Sequence, residues 1–270
     1  MKIQDIKRFG EREIKLLLAL EQKKGFIFTF GDAKKILGTS EASAKNVLKR
    51  LKKKRRIIPL QKGTYLFAPL RSGREGLWSA HAFAAVPFLV KTSGYYVGFV
   101  SAMNYWGMTE QIPYTVNVAL RRQKKKLRAL QAEFVFVKKK ALGDFVQDEI
   151  EGVKINISSK EQTLLDGLAF PEYCLGVAGV AKAIHYSKKE INWEKLALLA
   201  KNGKSSVQRR LGFLLELLGL KKQSKMLEGD FHGFVWLEPS AQKKDFAYSK
   251  KWGLKLNVKN DDLLEFMRGY

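Results

Sequence analysis

Residues 29–67, TFGDAKKILGTSEASAKNVLKRLKKKRRIIPLQKGTYLF, decide the fold that we predict for the first part of this 270-residue chain. Thr29 and Asp32 have the spacing of a capping box, at the start of a short helix predicted over residues 31–37. Gly38 ends that helix, because glycine tolerates the left-handed backbone of a tight turn. A second helix follows after a three-residue turn, and this spacing is typical of a helix-turn-helix.

The second helix of this pair is predicted over residues 40–53, with Thr39 and Ser40 as candidate caps. Its residues at helical spacing form two faces of different chemistry. The apolar face consists of Ala44, Val47, Leu48 and Leu51. The opposite face consists of Ala42, Lys45, Asn46, Lys49 and Lys53. One face can therefore pack on a small core while the other meets a polyanion.

A β-hairpin is predicted next, from strands at residues 57–60 and 64–67 joined by a turn at residues 61–63. Pro59 is acceptable there, because an edge strand leaves one side of its backbone unpaired. Residues 26–28, Phe-Ile-Phe, can add a short strand beside the hairpin or fill the core. A helix-turn-helix followed by such a hairpin predicts a winged helix-turn-helix.

A leucine-rich helix is predicted ahead of these elements, over residues 11–22. Ile14, Leu17 and Leu18 are expected to form its core face. Gly25 breaks the helix before the next element begins.

The chain is strongly basic, with 50 Lys and Arg against 26 Asp and Glu, and a net charge of +24. Residues 1–75 contain 20 basic and 7 acidic residues, whereas residues 76–270 contain 30 and 19. The positive excess per residue is therefore about three times denser in the first part, which favours a nucleic-acid-binding module there.

No apolar run approaches the length of a membrane-spanning helix, and the N-terminus has no signal-peptide pattern. We therefore expect a soluble, cytoplasmic chain that does not associate with membranes. The single cysteine, Cys174, excludes an internal disulfide and a cysteine-rich zinc site. We expect it to be buried as a small apolar residue.

The predicted fold class is α+β, with a winged helix-turn-helix over residues 1–75 and a larger mixed α+β domain over residues 76–270. The boundary is placed in residues 68–76, APLRSGREG, where proline, glycine and charge are mixed. Strands, then helices, then strands are expected in the second domain, which favours α+β over a doubly wound fold. The predicted strands cover residues 114–120, 133–137, 153–157, 234–237 and 252–257, and the predicted helices cover 77–90, 101–107, 159–170, 178–186, 193–200 and 207–218.

Motifs for catalysis are absent: the sequence has no phosphate loop, dinucleotide fingerprint or nucleophile elbow. A metal-dependent nuclease needs acidic metal ligands beside a lysine. Asp148, Glu149 and Lys154 resemble this arrangement only loosely. Random occurrence in a chain that is 28% charged explains them better. We therefore expect no catalytic residue, no metal and no cofactor. His81 stands alone and is expected to be structural, and Ser101 is expected to cap the helix that ends at Gly107.

The basic run KRLKKKRR, residues 49–56, ends the predicted recognition helix and leads into the hairpin. We predict that this region binds double-stranded DNA, with Ser43 and Asn46 reaching base edges in the major groove and most of the basic residues contacting phosphates. The predicted DNA-binding residues are Thr39, Ser40, Ser43, Lys45, Asn46, Lys49, Arg50, Lys52, Lys53, Arg55, Arg56 and Lys62. The alternative is a small helical subdomain with a solvated basic face.

A second basic block, RRQKKKLR, occupies residues 121–128 between two predicted strands. It can extend the DNA footprint, contact an acidic partner or form a solvated loop. The residues of this possible secondary surface are Arg121, Arg122, Lys124, Lys125, Lys126 and Arg128.

Four stretches in a fixed order, spanning nearly the whole chain, carry a family resemblance. They are KGTY at residues 62–65, YVGFVSA at 96–102 with WGM at 106–108, ISSKEQTLLD at 157–166, and RRLGFLLELLG at 209–219. With these stretches the chain resembles the AbiEi family of predicted transcriptional regulators of viral defence systems, which are antitoxins of type IV toxin–antitoxin pairs. Trp106 stands where that family often has histidine.

The resemblance implies a non-catalytic, two-domain antitoxin. Its winged helix would bind inverted repeats in its own promoter and repress the operon, and its second domain would counter a co-encoded nucleotidyltransferase-type toxin. Two alternative functions stay open, and the oligomeric state is open as well. One is a stand-alone repressor whose second domain dimerises or senses a ligand, and the other, less favoured, is a metal-dependent nuclease with a DNA-binding head.

Overall fold

A computed structural model of the chain describes residues 9–23, 26–69 and 81–268. The chain divides into two compact units. The first unit consists of Met1–Tyr95, Lys126–Phe134 and Gln147–Ile155, and the second of Tyr96–Lys125, Val135–Val146 and Asn156–Tyr270. The boundary predicted between residues 75 and 76 falls within residues 70–80, outside the described residues.

The described part of the first unit starts with three helices and a small sheet. In chain order they are α1 (Glu11–Gln22), β1 (Ile27–Thr29), α2 (Phe30–Leu37), α3 (Glu41–Lys53), β2 (Ile57–Gln61) and β3 (Thr64–Phe67). The sheet order is β1-β3-β2, and both pairings are antiparallel. This order of elements is that of a winged helix-turn-helix, as predicted. Residues 26–28 serve both suggested purposes, because Ile27 pairs with Leu66 in the sheet while Phe28 is buried in the core.

The apolar face predicted for α3 is confirmed, since Ala44, Val47, Leu48 and Leu51 are all buried. The core face predicted for α1 is wrong for Leu18, which is 52% exposed. The buried stripe of α1 consists of Glu13, Leu16, Leu17 and Leu20. These residues have the i, i+3, i+4, i+7 spacing of one helical face. A glutamate at the first position of the stripe concealed the pattern, because a carboxylate is rarely buried unless it is paired.

The middle of the chain supplies two short helices and a larger sheet. Its elements are α4 (Ala82–Val90), β4 (Tyr95–Val97), α5 (Phe99–Tyr105), β5 (Thr115–Leu120), β6 (Leu127–Ala129), β7 (Ala132–Lys138), β8 (Phe145–Ile150) and β9 (Val153–Ser158). These strands form a six-stranded sheet in the order β6-β7-β5-β4-β9-β8. His81 is structural, as expected, because its Nδ1 accepts a hydrogen bond of 3.2 Å from the backbone N–H of Phe83 and caps α4.

The capping role predicted for Ser101 is wrong. The helix begins earlier, at Phe99, with Gly98 at the N-cap position. Ser101 is buried inside the helix, where its hydroxyl donates to the carbonyl oxygen of Thr115 at 3.0 Å and accepts from the backbone N–H of Asn117 at 2.8 Å. The residue therefore connects α5 to β5.

The last part of the chain is mainly helical and contains a second small sheet. Its elements are α6 (Lys160–Ala169), α7 (Gly176–Ser187), α8 (Trp193–Lys201), α9 (Ser205–Leu217), α10 (Lys221–Lys225), β10 (Val235–Trp236), β11 (Ala247–Ser249), β12 (Leu254–Leu256) and α11 (Asn260–Leu263). Single turns of 3-10 helix lie at Pro171–Tyr173 and Glu265–Met267. The four long helices were predicted within two residues at each end, and the sheet order β10-β12-β11 includes one strand, β11, that was not predicted.

The core of the second unit packs α6, α7, α8 and α9 around buried apolar side chains, with Trp252 as the largest. Trp252 lies over Gly212 of α9, where an added Cβ would come within 2.1 Å of the indole ring. Cys174 is fully buried in the same core, as expected, and burial raises the pKa of its thiol well above the ordinary value.

Two buried arginines of α9 hold the second small sheet in place. Arg209 donates to the carbonyl oxygens of His232 and Gly233, both at 2.9 Å. Arg210 donates to the carbonyl oxygens of Trp236 at 3.0 Å and Leu168 at 2.7 Å. These contacts connect β10 and the loop before it to the helical core of the unit.

Candidate nucleic-acid interface

Caps lie at the start of α2 and on both sides of the turn between α2 and α3. The backbone N–H of Thr29 donates to Asp32 Oδ2 at 2.8 Å, and the backbone N–H of Asp32 donates to Thr29 Oγ1 at 3.1 Å. Gly38 has φ +63° and ends α2, and Ser40 Oγ accepts from the backbone N–H of Ser43 at 3.3 Å. The predicted capping box is therefore present at the start of α2, and Gly38 and Ser40 form the turn from which α3 begins.

The solvent-facing side of α3 is basic along its length. Its predicted outer face is exposed at each of its positions, which are Ala42, Lys45, Asn46, Lys49 and Lys53. Lys52 and Arg55 are also exposed at the C-terminal end of the helix, and Lys62 is exposed in the turn of the β2–β3 hairpin. The structure thus brings together in one unit an exposed asparagine and a set of cations suited to a polyanion.

Two of the predicted cations are already engaged in ion pairs. Lys45 Nζ lies 2.6 Å from Glu41 Oε1 one turn earlier in the same helix. Arg50 Nε lies 3.0 Å from Glu13 Oε1, and the buried Glu13 carboxylate also accepts Lys54 Nζ at 2.5 Å. Both pairs reduce the local positive potential.

The predicted phosphate contact of Arg56 is wrong. The residue is only 4% exposed, and its guanidinium donates to the carbonyl oxygen of Pro69 at 3.4 Å and lies over the ring of Phe9. Its backbone N–H also donates to the carbonyl oxygen of Leu51 at 2.9 Å. Burial follows from the left-handed backbone of Arg55, at φ +54°, which turns the chain back over α3 at this point.

Arg12 of α1 belongs to the same surface and was missed in the sequence. Its guanidinium donates to Ser43 Oγ at 2.6 Å in a solvent-exposed contact. The Ser43 hydroxyl therefore has a protein partner, and Ser40 and Thr39 act locally, since Thr39 Oγ1 donates to the Ser40 carbonyl oxygen at 3.4 Å. No periodic pattern could have found Arg12, because its partner is 31 residues away.

The second basic block follows β5 and continues into β6. Arg121, Arg122 and Lys125 are exposed, and Lys124 Nζ lies 5.3 Å from the centre of the Phe136 ring. Lys126 and Arg128 share the carboxylate of Glu133, with nitrogen–oxygen distances of 3.3 and 3.6 Å. Glu133 thus balances part of the charge at the β6 end of the block.

A pocket of about 630 Å³ lies within the second unit. Its lining combines the exposed lysines Lys138, Lys140 and Lys204 with apolar residues, among them Leu165, Phe170 and Val207. Pockets of this volume with an apolar lining and a few polar groups are typical of small-molecule sites.

A buried polar cluster borders that pocket. Asp166 accepts a hydrogen bond of 2.6 Å from the hydroxyl of Tyr96 and also pairs with Lys139 and with Gln162 Nε2. Burial and the charge of Asp166 raise the pKa of Tyr96, so that the phenol stays protonated and donates. Lys139 neutralises the buried carboxylate of Asp166. The exposed lysines therefore determine the charge at the pocket.

The acidic residues considered for a nuclease lie on the exposed strand β8. Asp148 and Glu149 are exposed on β8, where Asp148 Oδ1 accepts the backbone N–H of Glu149 at 2.6 Å, and Lys154 is exposed on β9. Within residues 9–23, 26–69 and 81–268, no group of three or more His, Cys, Asp or Glu side chains is placed to hold a metal ion. The same residues include no helix whose length and apolar character would let it cross a membrane.

No family model and no curated protein matches the chain. Among solved structures, the chain is similar to the crystal structure of the RV2827C protein from Mycobacterium tuberculosis, with a TM-score of 0.69 and 15% sequence identity. The similarity covers 97% of this chain and 96% of that chain. At this level of identity, the comparison establishes that the two proteins share a fold along nearly their whole lengths.

Proposed function

We propose that the chain is a DNA-binding transcriptional repressor and the antitoxin of a type IV toxin–antitoxin system. It would act in the cytoplasm, repress its own operon at inverted repeats and counter a nucleotidyltransferase-type toxin. The observation that carries the DNA-binding part is the exposed basic side of α3, held by caps in a winged helix-turn-helix. The antitoxin part rests on the resemblance to the AbiEi family described above.

The chemistry of α3 supports a division of labour on DNA. Asn46 is exposed on the outer face, and an asparagine amide can form two hydrogen bonds with the edge of adenine in the major groove. Lys49, Lys52 and Lys53 have no ion pair among the described residues, so they can neutralise phosphates without first breaking a contact. Lys62 extends the cationic surface to the hairpin turn.

Two substitutions in the full chain test this assignment. Asn46→Ala should reduce affinity for the promoter repeats by about five- to 150-fold while leaving binding to unrelated duplexes unchanged. Lys53→Ala should weaken binding to all duplexes alike and reduce the salt slope by about one unit. Identical behaviour of the two variants would show that α3 does not read bases.

A co-expression experiment tests the antitoxin part. The gene next to this one is induced alone, with the full chain, and with a full-length chain carrying Lys49→Glu and Lys53→Glu. We expect toxicity, relief by the wild-type chain, and relief also by the variant, whose promoter binding is lost. Toxicity that the wild-type chain does not relieve would reject the antitoxin part and leave the repressor part in place.

A ligand-sensing repressor is the second candidate function, and the pocket of the second unit favours it. An apolar lining with three exposed lysines suits an amphipathic anion. The aromatic sulfonate 8-anilinonaphthalene-1-sulfonate has this chemistry and is the probe. Saturable fluorescence that Lys204→Glu removes, together with altered promoter affinity when the probe is bound, would support ligand sensing. Unsaturable fluorescence or unchanged promoter affinity would reject it.

A further inference from the structure

The small sheet β10-β12-β11 has one buried and one exposed face. Trp236 pairs with Lys255, and Lys255 pairs with Tyr248, so these three side chains stand next to each other across the three strands. Leu237 and Leu254 belong to the opposite face and are buried in the core of the second unit. One side of the sheet thus anchors it, and the other side presents Trp236, Lys255 and Tyr248 outward.

Two further aromatic residues extend this outward face. Phe234 and Phe246 lie one residue before β10 and β11, and each precedes an outward residue by two positions, the spacing of side chains on one side of an extended chain. Phe234, Phe246 and Tyr248 are 47%, 56% and 52% exposed, and the rings of Phe234 and Tyr248 meet edge to face at 5.2 Å. Clustered exposed aromatic side chains are uncommon on a protein surface without a binding role. We call Phe234, Trp236, Phe246, Tyr248 and Lys255 the aromatic platform.

Positive charge surrounds the aromatic platform. Lys255 Nζ lies 5.2 Å from the centre of the Trp236 ring, at the middle strand. Residues 243–255 contain five lysines and one acid, Asp245. Asp245 accepts a hydrogen bond from the Tyr248 hydroxyl, and Lys251 is paired with Glu216 and Glu228. The exposed Lys243, Lys244 and Lys250 have no ion pair among the described residues.

We propose that the aromatic platform binds single-stranded nucleic acid, a function distinct from duplex binding by α3. Unpaired bases would stack on Phe246 and Tyr248, and the surrounding lysines would contact the phosphates. Exposed rings beside cations suit this ligand, because every base offers a π-face while the backbone is a polyanion. A duplex does not fit the same surface, since its bases are already stacked and paired.

Fluorescence anisotropy of the full chain with labelled oligothymidylate of about fifteen nucleotides tests the proposal. A variant with both Phe246→Ala and Tyr248→Ala should bind at least tenfold more weakly than the wild-type chain. Tyr114→Ala is the matched control, since Tyr114 is a 65% exposed tyrosine of the same unit outside the platform, and it should bind as wild type. The single variant Tyr248→Phe should keep its affinity, because the ring is retained.

Three results would overturn the proposal. They are absence of binding by the wild-type chain, equal affinity of the double alanine variant, and full affinity of a variant with Phe246→Leu and Tyr248→Leu. The last result would identify an apolar docking surface instead of a stacking surface.

Lys53→Ala should weaken duplex binding and leave oligothymidylate binding unchanged, which separates this site from α3. Circular dichroism checks that each variant is folded, and Lys255→Gln, which leaves the rings in place, should flatten the salt slope by about 0.7.

Discussion

Glu13 shows how one residue can determine the recognition surface without belonging to it. Its carboxylate is buried, accepts the backbone N–H of Gly10 at 3.1 Å and pairs with Arg50 of α3 and with Lys54, which directly follows the helix. It therefore holds the C-terminal half of α3 against α1. Because Arg50 is paired with it, Arg50 is not one of the unpaired cations of the surface. Removing one partner of a buried ion pair leaves the others without compensation.

Glu13→Gln should lower the free energy of unfolding by about 1–3 kcal/mol, less than for a fully buried pair because Arg50 and Lys54 are partly exposed. Urea denaturation measures the change. Glu11→Gln, an exposed acid in the same first helical turn, is the control and should cost less than about 1 kcal/mol. Equal losses in the two variants would mean that the buried pair adds nothing beyond a charge at the helix start.

The contrast between Arg56 and its neighbours marks the limit of residue-by-residue prediction. Every residue of the run 49–56 except Leu51 is cationic, and most of the run is exposed as predicted. Arg56 is buried because the backbone reverses at Arg55, and a single sequence does not reveal a left-handed residue that is not glycine. Arg12 was missed for a related reason, because its place on the surface depends on a contact between distant helices.

At the scale of elements, periodic helices with clear caps were predictable. The two faces of α3, the capping box of α2 and the four long helices of the second unit follow from 3.6-residue periodicity and end signals. Strand β8 was not predictable, because all but the last of its residues, FVQDEI, are exposed and it shows no alternation of buried and exposed positions. The aromatic platform was also missed, since β11 has only three residues and its role depends on pairing with β12.

The capping box of α2 makes stability depend on pH. Burial raises the pKa of Asp32, but the hydrogen bonds from Thr29 and the charge of Lys23 outweigh it and lower the pKa overall. The stabilisation is therefore fully present above the unfolded-state pKa, near 4, and is lost as pH falls through the folded-state value. Urea denaturation between pH 6 and pH 3 should show a smaller acid-induced loss for Asp32→Asn than for wild type. An equal acid-induced loss of stability in Asp32→Asn and in wild type would mean that protonation of Asp32 is not linked to unfolding.

Helix α9 packs against Trp252, which lies just before β12, with no space left between them. A Cβ at Gly212 would fall within 2.1 Å of the Trp252 ring, so Gly212→Ala forces the indole to move. We expect a loss of about 1–3 kcal/mol, typical of overpacking. Gly229→Ala is the control, because its Cβ would meet nothing closer than 3.6 Å, and it should stay within about 0.5 kcal/mol. Thermal unfolding followed by tryptophan fluorescence measures both, and equal stability of the two variants would contradict the packing argument.

For the whole molecule, the net charge of +24 predicts strong and salt-sensitive attraction to any polyanion. The second basic block contributes to duplex binding if its position, and not only its charge, affects the affinity. Arg121→Glu with Arg122→Glu should weaken duplex binding and flatten the salt slope by up to about two units. Lys188→Glu with Lys189→Glu changes the net charge equally at two exposed lysines of the same unit, and it should have a smaller effect. Equal losses of duplex affinity in the two double variants would indicate that the second basic block is a solvated loop.

The burial of Cys174 gives the second unit an internal reporter of its own opening. The thiol is the only one in the chain and lies fully inside the core. A maleimide reagent can therefore reach it only when the core opens, and the labelling rate measures the population of opened molecules. A compound that occupies the lysine-bordered pocket would slow labelling by a factor of one plus the ratio of its concentration to its dissociation constant, without any need for a known activity.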